Sequence, residues 1–175
     1  GFTHWAKLNN LKQAAKTINF LTEHGISSYG ELESKLTAVS ARRDTAHAEI
    51  KRIESRSAEL TLVMKHAGTY RQLKPLYDRY RKSNDKEKFL RGHESEIILF
   101  EAAASELKRL GAVPLPTTES MKTELANLNA EKERLLAEYK AARAEAQEYE
   151  TVKQNVDALL TVPKEQEQQR RHELE

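Results

Sequence analysis

Between Lys65 and Gly92 the chain gathers nine Lys and Arg residues against three acids, whereas the whole chain carries a net charge of only +2. Beyond Lys65, the cations are Arg71, Lys74, Arg79, Arg81, Lys82, Lys86, Lys88 and Arg91, and Tyr70, Tyr77, Tyr80 and Phe89 are interleaved with them. Cations neutralise phosphates and release counterions, and aromatic rings stack on unpaired bases. These eight cations are therefore the candidate nucleic-acid contacts. A second reading stands beside this one. The spacing 70, 73, 77, 80 is that of a helix face turned to a core. It makes the aromatics the interior of a helical cluster and the cations its solvated surface.

Catalytic chemistry has little to build on. The chain has no Cys, which excludes disulfides, thiolate metal sites and cysteine nucleophiles. Its six His are His4, His24, His47, His66, His93 and His172, and no two stand two, three or four residues apart. Helical metal pairs need such spacings. His93 and Glu96 form one i,i+3 pair, short of the several convergent ligands a metal requires. No Gly-rich phosphate loop or nucleophile elbow is present. The expectation is a chain with no cofactor, no metal and no activity of its own.

The elements that position the basic stretch are two heptad arrays. One runs Leu32, Leu36, Val39, Arg43, Ala46, Ile50, Ile53, Ser57, Leu60, Met64, Ala67. The other runs Met121, Leu125, Leu128, Lys132, Leu135, Tyr139, Ala142, Ala146, Tyr149, Lys153, Val156, Leu160. Steps of 3 and 4 alternate throughout, which is the repeat that winds helices together. At a rise of about 1.5 Å per residue each array spans roughly 50–60 Å. Paired antiparallel, they set Ala67 opposite Met121 and Leu32 opposite Leu160. Arg43, Lys132 and Lys153 place cations at the seam, where a polar residue fixes register and a long stem snorkels outward. Pairing within one chain is favoured by the matched lengths, with a swapped dimer as the alternative.

The fold class expected is all-α: a long antiparallel coiled-coil hairpin with small helical clusters at its ends. Residues 1–27 hold a first helix with Trp5, Leu8, Leu11, Ala15, Ile18 and Leu21 on one face, capped by Thr3 and closed by Gly25. That face is expected to pack at the hairpin base. Residues 28–67 form the first arm, opened by the capping box from Ser28 to Glu31. Residues 68–116 form a helical knob at the tip, entered through a kink or break at Gly68 and Pro75. Within it a helix from about 85 to 110 aligns Phe89, His93, Ile97, Phe100, Ala104 and Leu107, and the apolar run 97–100 predicts burial on several sides. Residues 117–162 form the second arm, capped by Thr117 or Thr118 and ending before Pro163. Residues 163–175 read as a disordered polar tail, with Leu174-Glu175 left by cloning and the whole chain cut from a longer protein.

About a third of the residues, 32%, are charged. That suits a narrow seam and small clusters rather than one large core. No apolar run approaches the roughly 18 residues needed to cross a bilayer, so no membrane insertion is expected.

The opening stretch from His4 to Gly25, HWAKLNNLKQAAKTINFLTEHG, resembles the segment that follows the nuclease domain in relaxases. These are the mobilisation nucleases of conjugative transposons and plasmids in gut Firmicutes. Tyr80-Arg81-Lys82, Lys88-Phe89-Leu90, His93 to Leu99 and Val152 to Asp157 are similar to the same C-terminal region, so the resemblance extends to about Leu160. It implies a bacterial, cytoplasmic setting in conjugation and plasmid transfer. Relaxases nick one DNA strand with a tyrosine, aided by a metal on a histidine cluster. No such cluster occurs here, and none of the six tyrosines inherits that role. The resemblance thus implies the noncatalytic C-terminal module, which contacts transfer-origin DNA, relaxosome proteins or the coupling protein, as a monomer or weak dimer. The alternative is a purely structural, docking coiled coil that meets only proteins.

Overall fold

A computed structural model describes the backbone of residues 2–174 and the side chains within it, apart from those of 2, 3, 5, 6 and 162–165. The expected Thr3 cap and the packing of Trp5 lie outside the described side chains. Four helices follow in order: α1 (Phe2–Glu23), α2 (Tyr29–Lys82), α3 (Lys86–Arg109) and α4 (Thr118–His172). Among the described residues there is no strand, and the chain is all-α. It divides into two compact units. One comprises residues 1–48 and 135–175, the other residues 49–134.

In the first unit the early part of α2 runs antiparallel to the late part of α4. Tyr29 donates to Asp157 at 2.6 Å, and Arg42 pairs with Glu145 further along. Leu32, Val39, Ala146, Tyr149 and Val152 form the buried seam, and Phe20 and Ile26 join it from α1 and the turn after it. The turn is a Schellman end. Gly25 takes φ 63°, while Ile26 N–H reaches the Leu21 carbonyl and Gly25 N–H that of Thr22. Ser28 caps α2 by accepting from Glu31 N–H at 3.2 Å. The Glu31 carboxylate reaches one residue further back than a simple capping box, to the backbone N–H and hydroxyl of Ser27. Those bonds, the backbone one foremost, hold its pKa below the usual glutamate value.

In the second unit the later part of α2 packs antiparallel against the start of α4, with α3 alongside. Leu60, Val63, Ala67, Leu107, Ala112 and Met121 form its core, so Ala67 and Met121 share a cluster as the heptads require. Gly111 makes a second Schellman end at φ 69°, with Ala112 N–H on the Leu107 carbonyl. Thr117 is the cap of α4, its hydroxyl accepting from Ser120 N–H at 3.1 Å.

The seam cations all reach carboxylates. Arg43 pairs with Asp44 at 3.0 Å, Lys132 with Glu54 at 3.2 Å, and Lys153 with Asp157 at 3.6 Å. Their stems lie along the seam while their heads meet acids at its edge.

Several expectations are corrected. No break occurs at Gly68 or Pro75: α2 is one helix to Lys82. Proline removes one backbone hydrogen bond, but rings on both sides of it, Tyr70 and Tyr77, stack on Phe100 of α3 and hold the two turns together. Likewise α4 does not stop before Pro163 but continues to His172. The residues beyond are mostly Lys, Glu, Gln and Arg, strong helix formers, and Glu167 pairs with Arg171 one turn on. Ile98 and Leu99 are not buried on several sides but stand 56% and 55% exposed, because α3 has neighbours only on the side of Ile97, Phe100, Ala103 and Leu107.

The apolar stripe of α1 does not pack as expected either. Thr17 and Phe20 are buried instead, while Leu8, Leu11 and Ile18 are exposed. Phe20 meets Tyr149 edge-on at 5.2 Å, and Asn155 donates to the Thr17 hydroxyl at 3.3 Å; together they set the rotation of α1. Leu160 is 57% exposed. It borders one groove with Leu32, Tyr29 and Val156 but is left largely uncovered there.

Candidate nucleic-acid interface

The basic stretch is built from the last turns of α2, the turn at residues 83–85 and the first half of α3. Asp85 caps α3, its carboxylate accepting from Lys88 N–H at 3.0 Å. Ser83 braces the turn by accepting from Asp85 N–H.

The interleaved aromatics face inward between the two helices. Tyr77 stacks on Phe100 at 4.2 Å and Tyr70 on the same ring at 4.8 Å. Tyr80 lies 5.9 Å from Tyr77 and 6.0 Å from Phe89, which in turn lies 4.7 Å from His93. Six rings thus form a continuous ladder in which Phe100, between Tyr70 and Tyr77, is buried. Tyr70, Tyr77, Tyr80 and Phe89 are each partly buried against one another and against Phe100, which places them in the interior of the cluster.

The eight candidate cations divide by what they already hold. Arg71 donates to the Pro116 carbonyl at 2.6 Å and to the Thr118 hydroxyl at 2.8 Å, tying α2 to the loop before α4. Lys74 is held by both oxygens of Asp78 at 3.0 and 3.1 Å, and those bonds raise its pKa. Arg79 lies over the Phe89 ring, 5.7 Å from its centre. Arg91 touches the Glu87 carbonyl at 3.4 Å. Arg81, Lys82, Lys86 and Lys88 are exposed and hold no side-chain partner. These four fall within eight residues across the 83–85 turn.

Part of this charge has a structural role. Arg79, Arg81 and Lys82 occupy the last turn of α2, where the helix dipole favours cations. Lys86 and Lys88 sit at the start of α3, where the dipole favours acids, so helix electrostatics do not account for them.

Elsewhere on α2 and α4, Arg42, Arg43, Lys51, Arg52, Arg56, Lys132 and Lys153 are each engaged with a carboxylate, whereas Lys35, Lys65, Lys122, Lys140 and Arg143, spread along the two helices, are not. The chain's unengaged positive charge is therefore more concentrated around residues 81–88 than composition alone indicates.

Among the described residues no group of three or more His, Asp or Glu could hold a metal ion. The His93–Glu96 pair is 3.6 Å apart, too long for a hydrogen bond, and His93 Nδ1 is buried without one. His93 also breaks the helical backbone, at φ −138° and ψ 23°. Sequence reasoning missed this break; Gly92 beside it is the one local signal. It also missed the tie from Arg71 to the α4 loop, for which spacing holds no cue. Among the described residues no helix is long and apolar enough to cross a membrane. Compared with family models, curated proteins and solved structures, the chain matches none.

Proposed function

We propose that this chain is a noncatalytic helical module of a conjugative relaxase, and that it contacts transfer-origin DNA through Arg81, Lys82, Lys86 and Lys88. The observation that carries the reading is the contrast in charge pairing. Most cations along the paired stretches of α2 and α4 hold carboxylates, Lys35, Lys65, Lys122, Lys140 and Arg143 being scattered exceptions, while four close together at the α2–α3 turn hold none. Unpaired cations on a short, braced turn present a phosphate backbone with charge that needs no prior rupture of an ion pair. The aromatics support the turn from within. On this reading the module works in the bacterial cytoplasm as a monomer or weak dimer, and the nicking chemistry belongs to a nuclease domain outside it.

The test is binding of labelled origin DNA, single- and double-stranded, followed by anisotropy across a salt series. Four phosphate contacts give a log–log slope of about −3 to −4. Replacing Arg81, Lys82, Lys86 and Lys88 by Glu abolishes binding while helicity stays unchanged. Salt-insensitive binding, or none at low salt, overturns the DNA reading.

A docking reading has one observation in its favour. Ile98 and Leu99 stand side by side on the outer face of α3, 56% and 55% exposed. Under that reading the module meets the coupling protein or other transfer proteins, and Ile98→Ser with Leu99→Ser removes the interaction without changing DNA affinity.

A further inference from the structure

We infer that the outward face of α1 is a docking surface for an amphipathic helix of a partner protein whose apolar seam is flanked by acids. Leu8, Leu11, Ala15 and Ile18 recur at steps of 3, 4 and 3, which on a helix makes one continuous stripe. None of it is used within the unit. Leu8 is 46% exposed, Leu11 67% and Ile18 59%. The opposite side of α1 makes the intramolecular contacts, through Thr17 to Asn155 and Phe20 to Tyr149. Such a stripe is of the kind a second helix covers with side chains at i, i+3, i+4 and i+7.

Charge selects the occupant. Lys7, Lys12 and Lys16 accompany the stripe, and the only acid on α1 is Glu23 at its far end. None of the three lysines has a side-chain partner. In an antiparallel pairing of two copies of α1, the lysines of one copy fall near those of the other, so the stripe is poorly suited to a second copy of this chain. A helix carrying Glu or Asp beside its apolar seam meets these cations instead, the arrangement that fixes partner choice in coiled coils.

The experiment uses the full chain and two synthetic peptides of about three heptads, both with leucine at the seam positions, one flanked by Glu and the other by Lys. The Glu-flanked peptide is expected to bind at least about tenfold more tightly than the Lys-flanked one. Leu11→Ser with Ile18→Ser should remove that binding while the circular dichroism spectrum is unchanged, since both side chains are exposed. Lys7→Glu, Lys12→Glu and Lys16→Glu together should invert the preference. Equal binding of the two peptides, or binding of neither, overturns the proposal. So does a dimer of the chain that the serine variants dissolve, or binding to anionic vesicles in place of the peptide.

Discussion

Arg56 and Glu124 meet at two points between α2 and α4, Nε to Oε1 at 2.7 Å and Nη2 to Oε2 at 3.2 Å. Both side chains remain 41% exposed, so water screens the pair. Arg56→Ala is expected to lower stability by less than about 1 kcal/mol. Ile53, one turn earlier, is 0% exposed, and Ile53→Ala is expected to lower it by about 2–5 kcal/mol. Urea unfolding of the two variants checks the order. A larger loss from Arg56 would mean that ion pairs, rather than the apolar seam, hold α2 to α4.

Gly111 closes α3 in the left-handed region at φ 69°. A side chain there strains the backbone although the space around it is open. Gly111→Ala should cost about 1–2 kcal/mol, whereas the same change at Gly68, inside α2, should stabilise by about 0.5–1 kcal/mol. Thermal unfolding of both variants should shift in opposite directions.

Acid should weaken the fold in a defined window. Glu31, Glu54, Glu106 and Glu131 all have pKa values below the ordinary 4.5, each chiefly through hydrogen bonds to its carboxylate. A depressed carboxylate contributes stability that is fully present above its unfolded pKa and is lost as pH falls through the lower folded value. Melting temperature should therefore hold steady from neutral pH to about 5 and then decline. Glu31→Gln should lower the neutral-pH value and reduce the decline, since its share no longer titrates. A decline unchanged by Glu31→Gln would remove that glutamate from the account.

The antiparallel pairing in the first unit has a chemical test. His47 and Tyr139 lie 5.6 Å apart, and Arg42 meets Glu145. The buried Ala46 and Ala142 are bracketed by these two contacts. Cysteines at both positions should give an intramolecular bridge on oxidation, detected as a monomer of increased gel mobility. Dimers alone would mean that the arms pair between chains.

The seam and its ends were legible in the sequence because each rests on local chemistry. Ile53 and Ala146 follow from heptad spacing, Gly25 and Gly111 from the residue type a left-handed turn requires, and Ser28 and Thr117 from capping hydroxyls. What spacing could not decide was which of two faces of a helix is used. Leu11 and Ile18 form the better stripe on α1, yet Phe20 and Thr17 take the contact because their partners, Tyr149 and Asn155, lie far along the chain. Pro75 was misjudged for a related reason: its local cost is offset by Phe100, which no window around residue 75 contains. For the candidate interface, composition located the cluster. Only the positions of Asp78, Pro116 and Phe89 separate engaged cations from unengaged ones.

The second unit is one unbroken stretch, residues 49–134, whereas the first needs both ends of the chain. The order of synthesis therefore differs from the order of completion. Leu32 and Val39 are made more than a hundred residues before the residues that cover them, from Ala146 to Val152. The whole of the second unit is made in between. The apolar seam of the first unit thus stays uncovered while another unit is completed.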